Sequence, residues 1–326
     1  MHRMVAGGRG YAPWARERYE RLYGPAADAF FDCMDRPLEP AVRFNTLRTD
    51  ARSVCARFEE KGISYTPLGG VGARIRHAPF ALSSMPEHLM GHFYLQGVAE
   101  MAVAPQLSPS RDTVVWDMCA APGGKATHLS QLMENTGVII ATDVAEAKLS
   151  ALQNNVARLG CTNTVVLRQD ARTFSPGTVP DAVLLDAPCT GSGTIRKDPT
   201  RKASRTFEDV VFMQGVQKGL LAAAVRALRP GGRVLYATCS LEPEENECVA
   251  HWALESLPVE IVPLAPSFVT IAPGFTRPLG MRLSEKVALA GRVHPHESDT
   301  SGMFMALFRK RDGTGPSTTK PSPRRP

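Results

Sequence analysis

From about position 112 the chain alternates between short apolar runs and amphipathic stretches. "TVVWDM", "GVIIATD", "NTVVLRQD", "DAVLLDAPC" and "RVLYATC" are short, rich in β-branched residues and nearly continuous in hydrophobicity, so each reads as a strand buried on both faces. Between them "ATHLSQLMEN", "AEAKLSALQNNVARLG", "VVFMQGVQKGLLAAAVRALRPGG" and "PEENECVAHWALESL" have helical spacing, and "MFMALFRK" reads as a late edge strand. Strands alternating with helices predict an α/β, doubly wound, mostly parallel sheet, in which ligands sit beyond the carboxyl ends of the strands.

The first half is patterned differently. Its first ~30 residues look helical, with "RERYERLYG" ending on Gly24. "AVRFNTL" alternates like a strand, "DARSVCARFEEKG" opens on Asp50 and closes on Gly62 like a capped helix, and "ISYTPL" reads as another strand. These three form a predicted βαβ unit in a small α+β domain. The segment "MPEHLMGHFYLQGVAEMAVAPQLSPS" leads into the second half, and there is no internal repeat. The expected organisation is an N-terminal domain over residues 1–105, a larger domain over 106–310 and a basic, Pro- and Ser-rich disordered tail over 311–326.

Composition narrows the function classes. With 326 residues and 43% hydrophobic content, the chain can bury a sizeable core, and no apolar run approaches the ~20 residues of a membrane span. The start, "MHRMVAGGRGYAPWARERYE", lacks the apolar core of a signal peptide. Seven cysteines show neither paired metal spacing nor a disulfide framework, which points to free thiols, a reducing compartment and no metal. The expected location is cytoplasmic, or nuclear or mitochondrial if the source is eukaryotic. A net charge of +6 and a pI near 9.0 fit a polyanionic partner, or a merely basic surface.

The unusual residues of the second half cluster at predicted strand ends. The loop "DMCAAPGGKATHL", carrying Cys119, Ala120, Ala121, Pro122, Gly123, Gly124 and Lys125, joins a strand to a helix through small residues. Small residues let backbone approach a ligand, and the helix start offers free N–H groups, although an ordinary tight turn would look similar. It matches neither the dinucleotide nor the phosphate-loop fingerprint. Asp143 ends the next strand about twenty residues later, placed to accept both hydroxyls of a ribose. Asp170 and Asp186 end the two strands after that. Lone strand-end aspartates are usually caps or turn residues, but three in succession favour a nucleoside cofactor. Without a phosphate fingerprint, S-adenosylmethionine is preferred over NAD or ATP.

Two cysteines also sit at strand ends, Cys189 in "LLDAPCTGSG" and Cys239 in "RVLYATCSLEPEENE". Either could be a small buried hydrophobe. The chemical alternative is methylation at carbon 5 of a pyrimidine, a poor nucleophile until a thiolate adds to carbon 6. Cys239, near a predicted helix start, is expected to gain some acidity from the helix dipole, against the opposing charges of Glu242, Glu244 and Glu245, leaving substrate and cofactor charge as its main activators.

At these residues the chain resembles a known family. "DMCAAPGGKATHL", "LLDAPCTGSGTIRKDP" and "LRPGGRVLYATCSLEPEENE" are similar, in order, to the motifs of RsmB/Nop/Sun-type RNA (cytosine-5) methyltransferases. "AVRFNTLR", "HFYLQGVAEM" and "HPHESDTSGMFMALFRK" resemble further family segments. The resemblance implies a Rossmann-like class I methyltransferase fold and S-adenosylmethionine-dependent formation of 5-methylcytosine in RNA. It implies that Cys239 attacks carbon 6, that Cys189 helps release the methylated RNA, and that Asp186 faces the cytosine ring near the methyl donor. It further implies that Cys119 to Lys125 hold the methionine part of the cofactor, Asp143 the ribose and Asp170 the adenine side, with Lys148 a possible further contact. Ala126 replaces the threonine common after "GGK", and "GMFMA" stands where the family often has "GFFVA"; neither change removes a charged or nucleophilic group, so activity is expected to survive.

The target base is expected to be extruded from folded RNA into the pocket, with the small domain and basic surface holding the backbone. The compact layout looks most like archaeal-type tRNA enzymes of the family, so the expected partner is RNA, tRNA ahead of ribosomal RNA, bound by a monomer. Alternatives are an RNA-binding relative without catalysis, disfavoured by the retention of both cysteines, and an NAD-dependent oxidoreductase, disfavoured by the missing fingerprint.

Overall fold

The computed structural model describes residues 10–312, so the expected tail lies outside the described residues except for its first two positions. The N-terminal sheet contains β1 (Ala41–Phe44), β2 (Ser64–Leu68), β3 (Gly72–His77) and β4 (Phe93–Leu95), ordered β2-β3-β1-β4 and wholly antiparallel. β1 and β2 are both antiparallel to β3 and so run parallel to each other, and with the helix between them they form the expected βαβ unit in split form. β1 and β2 are separated by β3, whose "GARIRH" is too short and too basic to stand out as a strand. The helix between them, Ala51–Glu60, starts as expected, with the Asp50 side chain accepting from Ser53 N at 2.8 Å.

The second sheet has nine strands: β5 (Val114–Asp117), β6 (Val138–Asp143), β7 (Thr164–Arg168), β8 (Ala182–Asp186), β9 (Arg233–Thr238), β10 (Val259–Val262), β11 (Ala272–Pro273), β12 (Gly291–Val293) and β13 (Met303–Lys310). Their order is β11-β12-β13-β9-β8-β5-β6-β7, with β10 paired to β13. β5 to β9 are parallel and form the expected Rossmann-like core. Chain direction across the sheet reverses between β5 and β8, which opens a crevice at their carboxyl ends.

"MFMALFRK" is not an edge. β13 lies between β9 on one side and β12 and β10 on the other, and its first six residues are buried. An unbroken apolar run is what a strand covered on both faces requires, whereas an edge would alternate.

Helices cover both faces. Leu220, Leu221 and Ala224 of helix Phe207–Ala227 and Val249, Ala250 and Ala253 of helix Glu247–Ser256 pack with Trp116, Val183 and Val234. Leu129, Met133 and the segment Val98–Leu107 pack with Val115, Leu184 and Leu235 on the other face. The helices Pro13–Tyr23 and Ala27–Met34 turn at Gly24 and form an aromatic cluster that meets Ile195 and Leu241 of the second half. Among the described residues no helix is long and apolar enough to cross a membrane.

Candidate active site

The two thiols meet because their strands do. β8 pairs in parallel with β9, Asp186 opposite Ala237, and Cys189 lies three residues and Cys239 one residue past the ends of their strands. Cys189 Sγ then lies 3.4 Å from Cys239 Sγ. Backbone contacts fix the two turns: Gly193 N donates to Cys239 O at 2.9 Å, and a Cβ on Gly193 would lie 2.7 Å from that oxygen. Glu245, fully buried, ties the turns together by accepting from Thr190 N and Gln217 at 2.9 Å each and from Ser240 Oγ at 2.6 Å.

The thiols differ in acidity. Contact with Cys189 lowers the Cys239 pKa; burial and the charges of Asp186 and Glu100 oppose this, and Lys125 assists it. The Cys189 thiol is pushed up by the same contact, by burial and by the charges of Glu245 and Asp186. The asymmetry lies first in the contact itself, with Lys125 adding to the fall at Cys239 and Glu245 to the rise at Cys189. The helix starts at Glu247, with Pro243–Asn246 forming a turn ahead of it, and its N-cap Asn246 is hydrogen-bonded to Thr238 and Ser240 on either side of Cys239. The glutamates expected to oppose Cys239 are spoken for, Glu242 by Tyr19 at 2.7 Å, Glu244 by Arg18 at 2.6 Å and Glu245 as above.

Lys125 Nζ donates to Asp186 Oδ2 at 2.6 Å, which holds the buried ammonium charged despite its desolvation. Its loop is anchored from the N-terminal sheet. The buried Arg43 guanidinium donates to Gly124 O at 2.5 Å, to Gln96 Oε1 at 2.7 Å and to Thr127 Oγ1 at 2.9 Å. Asp143, at the end of β6, accepts from Ala121 N at 3.2 Å and Ala145 N at 2.9 Å. Each carboxylate oxygen retains a lone pair for a ligand.

A cavity of about 490 Å³ gathers Cys119, Ala121, Asp143, Lys148, Asp170 and Asp186 with Cys189 and Cys239, under a wall containing Phe212 and Val216. Ala120, Pro122, Gly124 and Lys125 face a second cavity across the loop, and Gly123 lines neither. Gly123 shapes the turn instead: its φ is +105°, and a Cβ there would lie 2.9 Å from Leu152. Asp170 stands two residues beyond β7 and is paired with Arg172 at 2.6 Å, which lowers its pKa.

Sequence reading overlooked two carboxylates. Asp117 ends β5, fully buried, with neither oxygen hydrogen-bonded among the described residues; burial and Asp186 raise its pKa to about 8. Its strand-end position was the available signal. Glu100 had none, since it lies in a short helix that only the fold brings to the loop.

The model of the 16S rRNA methyltransferase RsmB/F family matches residues 104–309. The chain belongs to the RsmB/F family. Among its relatives, a human 28S rRNA (cytosine(4447)-C(5))-methyltransferase is 37% identical over 290 residues, covering 86% of this chain and 35% of its own length. Escherichia coli ribosomal RNA small subunit methyltransferase F is 35% identical over 298 residues, covering 87% of this chain and 59% of its own. The chain thus spans about a third to three-fifths of these RsmB/F relatives. A solved methyltransferase homolog from Pyrococcus horikoshii superposes with a TM-score of 0.84 at 39% identity, covering 92% of this chain and 96% of that one.

Proposed function

We propose that the protein is an S-adenosylmethionine-dependent RNA cytosine-C5 methyltransferase acting through a covalent bond between Cys239 and carbon 6 of the target base. The observation that carries this reading is the thiol pair 3.4 Å apart, opening on the cavity that holds Asp143 and Asp186.

The cavity fits the cofactor. Asp143 ends its strand beside a loop of small residues, and Phe212 and Val216 supply an apolar wall for a purine. Of the loop Cys119 to Lys125, Cys119 and Ala121 line this cavity and would meet the methionine part, Asp143 would take the ribose and Asp170 the adenine side, with Lys148 nearby. When bound, S-adenosylmethionine supplies an electrophilic methyl group.

The chain's own residues do the rest. Cys239, the more acidic thiol, adds through its sulfur to carbon 6, and the π electrons shift to make carbon 5 nucleophilic. Lys125, held by Asp186, is placed to face the ring's polar edge and offset the negative charge that develops there. After transfer, the carbon 5 proton leaves to a base, the carbon 6–sulfur bond breaks and the ring double bond re-forms. Cys189, protonated and adjacent, is positioned to assist that elimination. We further propose that residues 1–105 hold RNA while 106–310 carry the chemistry. The compact layout supports tRNA as substrate, and the names of the human and Escherichia coli relatives support ribosomal RNA. Bisulfite sequencing of total RNA from a deletion strain tests the activity and identifies the RNA; no lost 5-methylcytosine would overturn the proposal.

Asp143→Ala should weaken S-adenosylmethionine binding by about 1.5–3 kcal/mol, the usual worth of a charge-assisted hydrogen bond. Calorimetry on the folded variant measures this, and an unchanged dissociation constant would remove Asp143 from the cofactor site.

A further inference from the structure

The cavity across the loop, about 270 Å³, is lined by Tyr94, Gln96, Gly97, Glu100, Lys125 and Lys197, and it shares Cys119, Ala121 and Asp186 with the larger one. Glu100 belongs to the short helix Val98–Met101 and folds back over Gly97, where a Cβ would come within 2.0 Å of Glu100 Oε2. Its Oε1 pairs with Lys197. Its Oε2 is buried with no hydrogen-bond partner among the described residues. Burial favours the neutral acid, but the pairing with Lys197, a hydrogen bond from the residue's own backbone N–H and the charge of Lys125 keep the carboxylate ionised. An anionic oxygen buried beside a cavity without a donor is costly unless a ligand supplies one.

The reaction indicates which donor. Attack on carbon 6 comes perpendicular to the ring, so the Watson–Crick edge of the base remains free in the ring plane. Glu100, Lys125 and Asp186 line one cavity, and Asp186 also lines the adjoining cavity that holds Cys239. Cytosine presents there an exocyclic amino group with two hydrogens, where uracil presents a carbonyl oxygen. Asp186 already accepts from Lys125 and has capacity for one of those hydrogens.

We propose that Glu100 determines specificity: its free Oε2 accepts the second hydrogen of the target cytosine's amino group, and the same carboxylate repels O4 of uracil. Lys197 is the positioning residue that holds the carboxylate in place. This rests on the reading of Cys239 given above.

The test uses the full chain and RNA oligonucleotides spanning the cytosine mapped by bisulfite sequencing, with cytosine, pyrimidin-2-one (which lacks the amino group) or uracil at that position. Single-turnover adduct formation is measured for the wild type, Glu100→Ala and Glu100→Gln, with folding checked by thermal denaturation. The preference of the wild type for cytosine over pyrimidin-2-one should fall by roughly 5- to 100-fold in Glu100→Ala, the span expected for one good base contact. Glu100→Gln, which keeps the volume and removes the charge, should lose discrimination against uracil, and serves if the alanine variant misfolds. A merely structural role would slow all oligonucleotides alike and leave the ratios unchanged, which would overturn the proposal. A wild type that forms no adduct with the cytosine oligonucleotide would instead defeat the reading of Cys239.

Discussion

Cys239→Ala is expected to abolish both methylation and covalent RNA capture, whereas Cys189→Ala should capture RNA and fail to release it. The basis is the asymmetry of the pair. At 3.4 Å one sulfur can carry the negative charge while the other keeps its proton. The contact itself lowers the Cys239 pKa and raises that of Cys189; Lys125 adds to the first effect, and burial and Glu245 add to the second. Removing Cys239 leaves carbon 5 unactivated, so no product should rise above background. Removing Cys189 spares addition and methyl transfer but leaves elimination without its neighbouring acid. The methylated adduct should then persist as a slowly migrating band on denaturing gels that disappears with RNase. The double variant should lose the band, because trapping depends on the first step. A Cys239→Ala protein that traps RNA, beside a Cys189→Ala protein that turns over, would mean the roles are exchanged. Unchanged methylation in both would make the thiols packing residues.

Most of the catalytic half was legible in the sequence because its signals are local. A buried parallel strand announces itself by four or five consecutive apolar residues, and a βα turn by small residues, so Asp143, Asp186, Cys189 and Cys239 could be assigned to strand ends without a structure. What could not be read is set by pairing between distant segments. β13 became interior only because β12 and β10 return to cover it. The closeness of the thiols depends on the register of β8 against β9, which strand-end position alone does not specify. The neighbours of Cys239 are hidden for the same reason. Sequence proximity suggests Glu242, Glu244 and Glu245, but Tyr19 and Arg18, more than two hundred positions away, bind the first two, and the groups that act on the thiol within the chain are led by Cys189, with Asp186 and Lys125 opposed.

Arg292 illustrates the point most fully, and replacing it should cost more stability than any surface change. In "AGRVHPHESD" it looks like an exposed basic residue. It is instead buried, donating to Glu247 Oε1 at 2.5 Å and to Oε2 at 2.6 Å, with its guanidinium 4.7 Å from the Phe275 ring centroid. It also donates to Leu241 O at 3.0 Å, two residues beyond Cys239, so it braces the turn that carries the thiol. Arg292→Met keeps much of the volume but leaves the Glu247 carboxylate buried and without its cation. Breaking such a pair costs about 3–5 kcal/mol. With an unfolding entropy near ~2 cal/mol/K per residue, that corresponds to a melting temperature lower by roughly 4–7 °C for a chain of this length. Glu247→Gln in the same protein removes the orphaned charge while keeping an acceptor for Phe275 N, 3.1 Å from Oε1, so the double variant should recover much of the loss. Denaturant unfolding of the single and double variants measures both quantities. A single variant within 1 kcal/mol of wild type would show that the pair contributes little, and a double variant no better than the single would assign the cost to lost packing against Phe275 and Phe304.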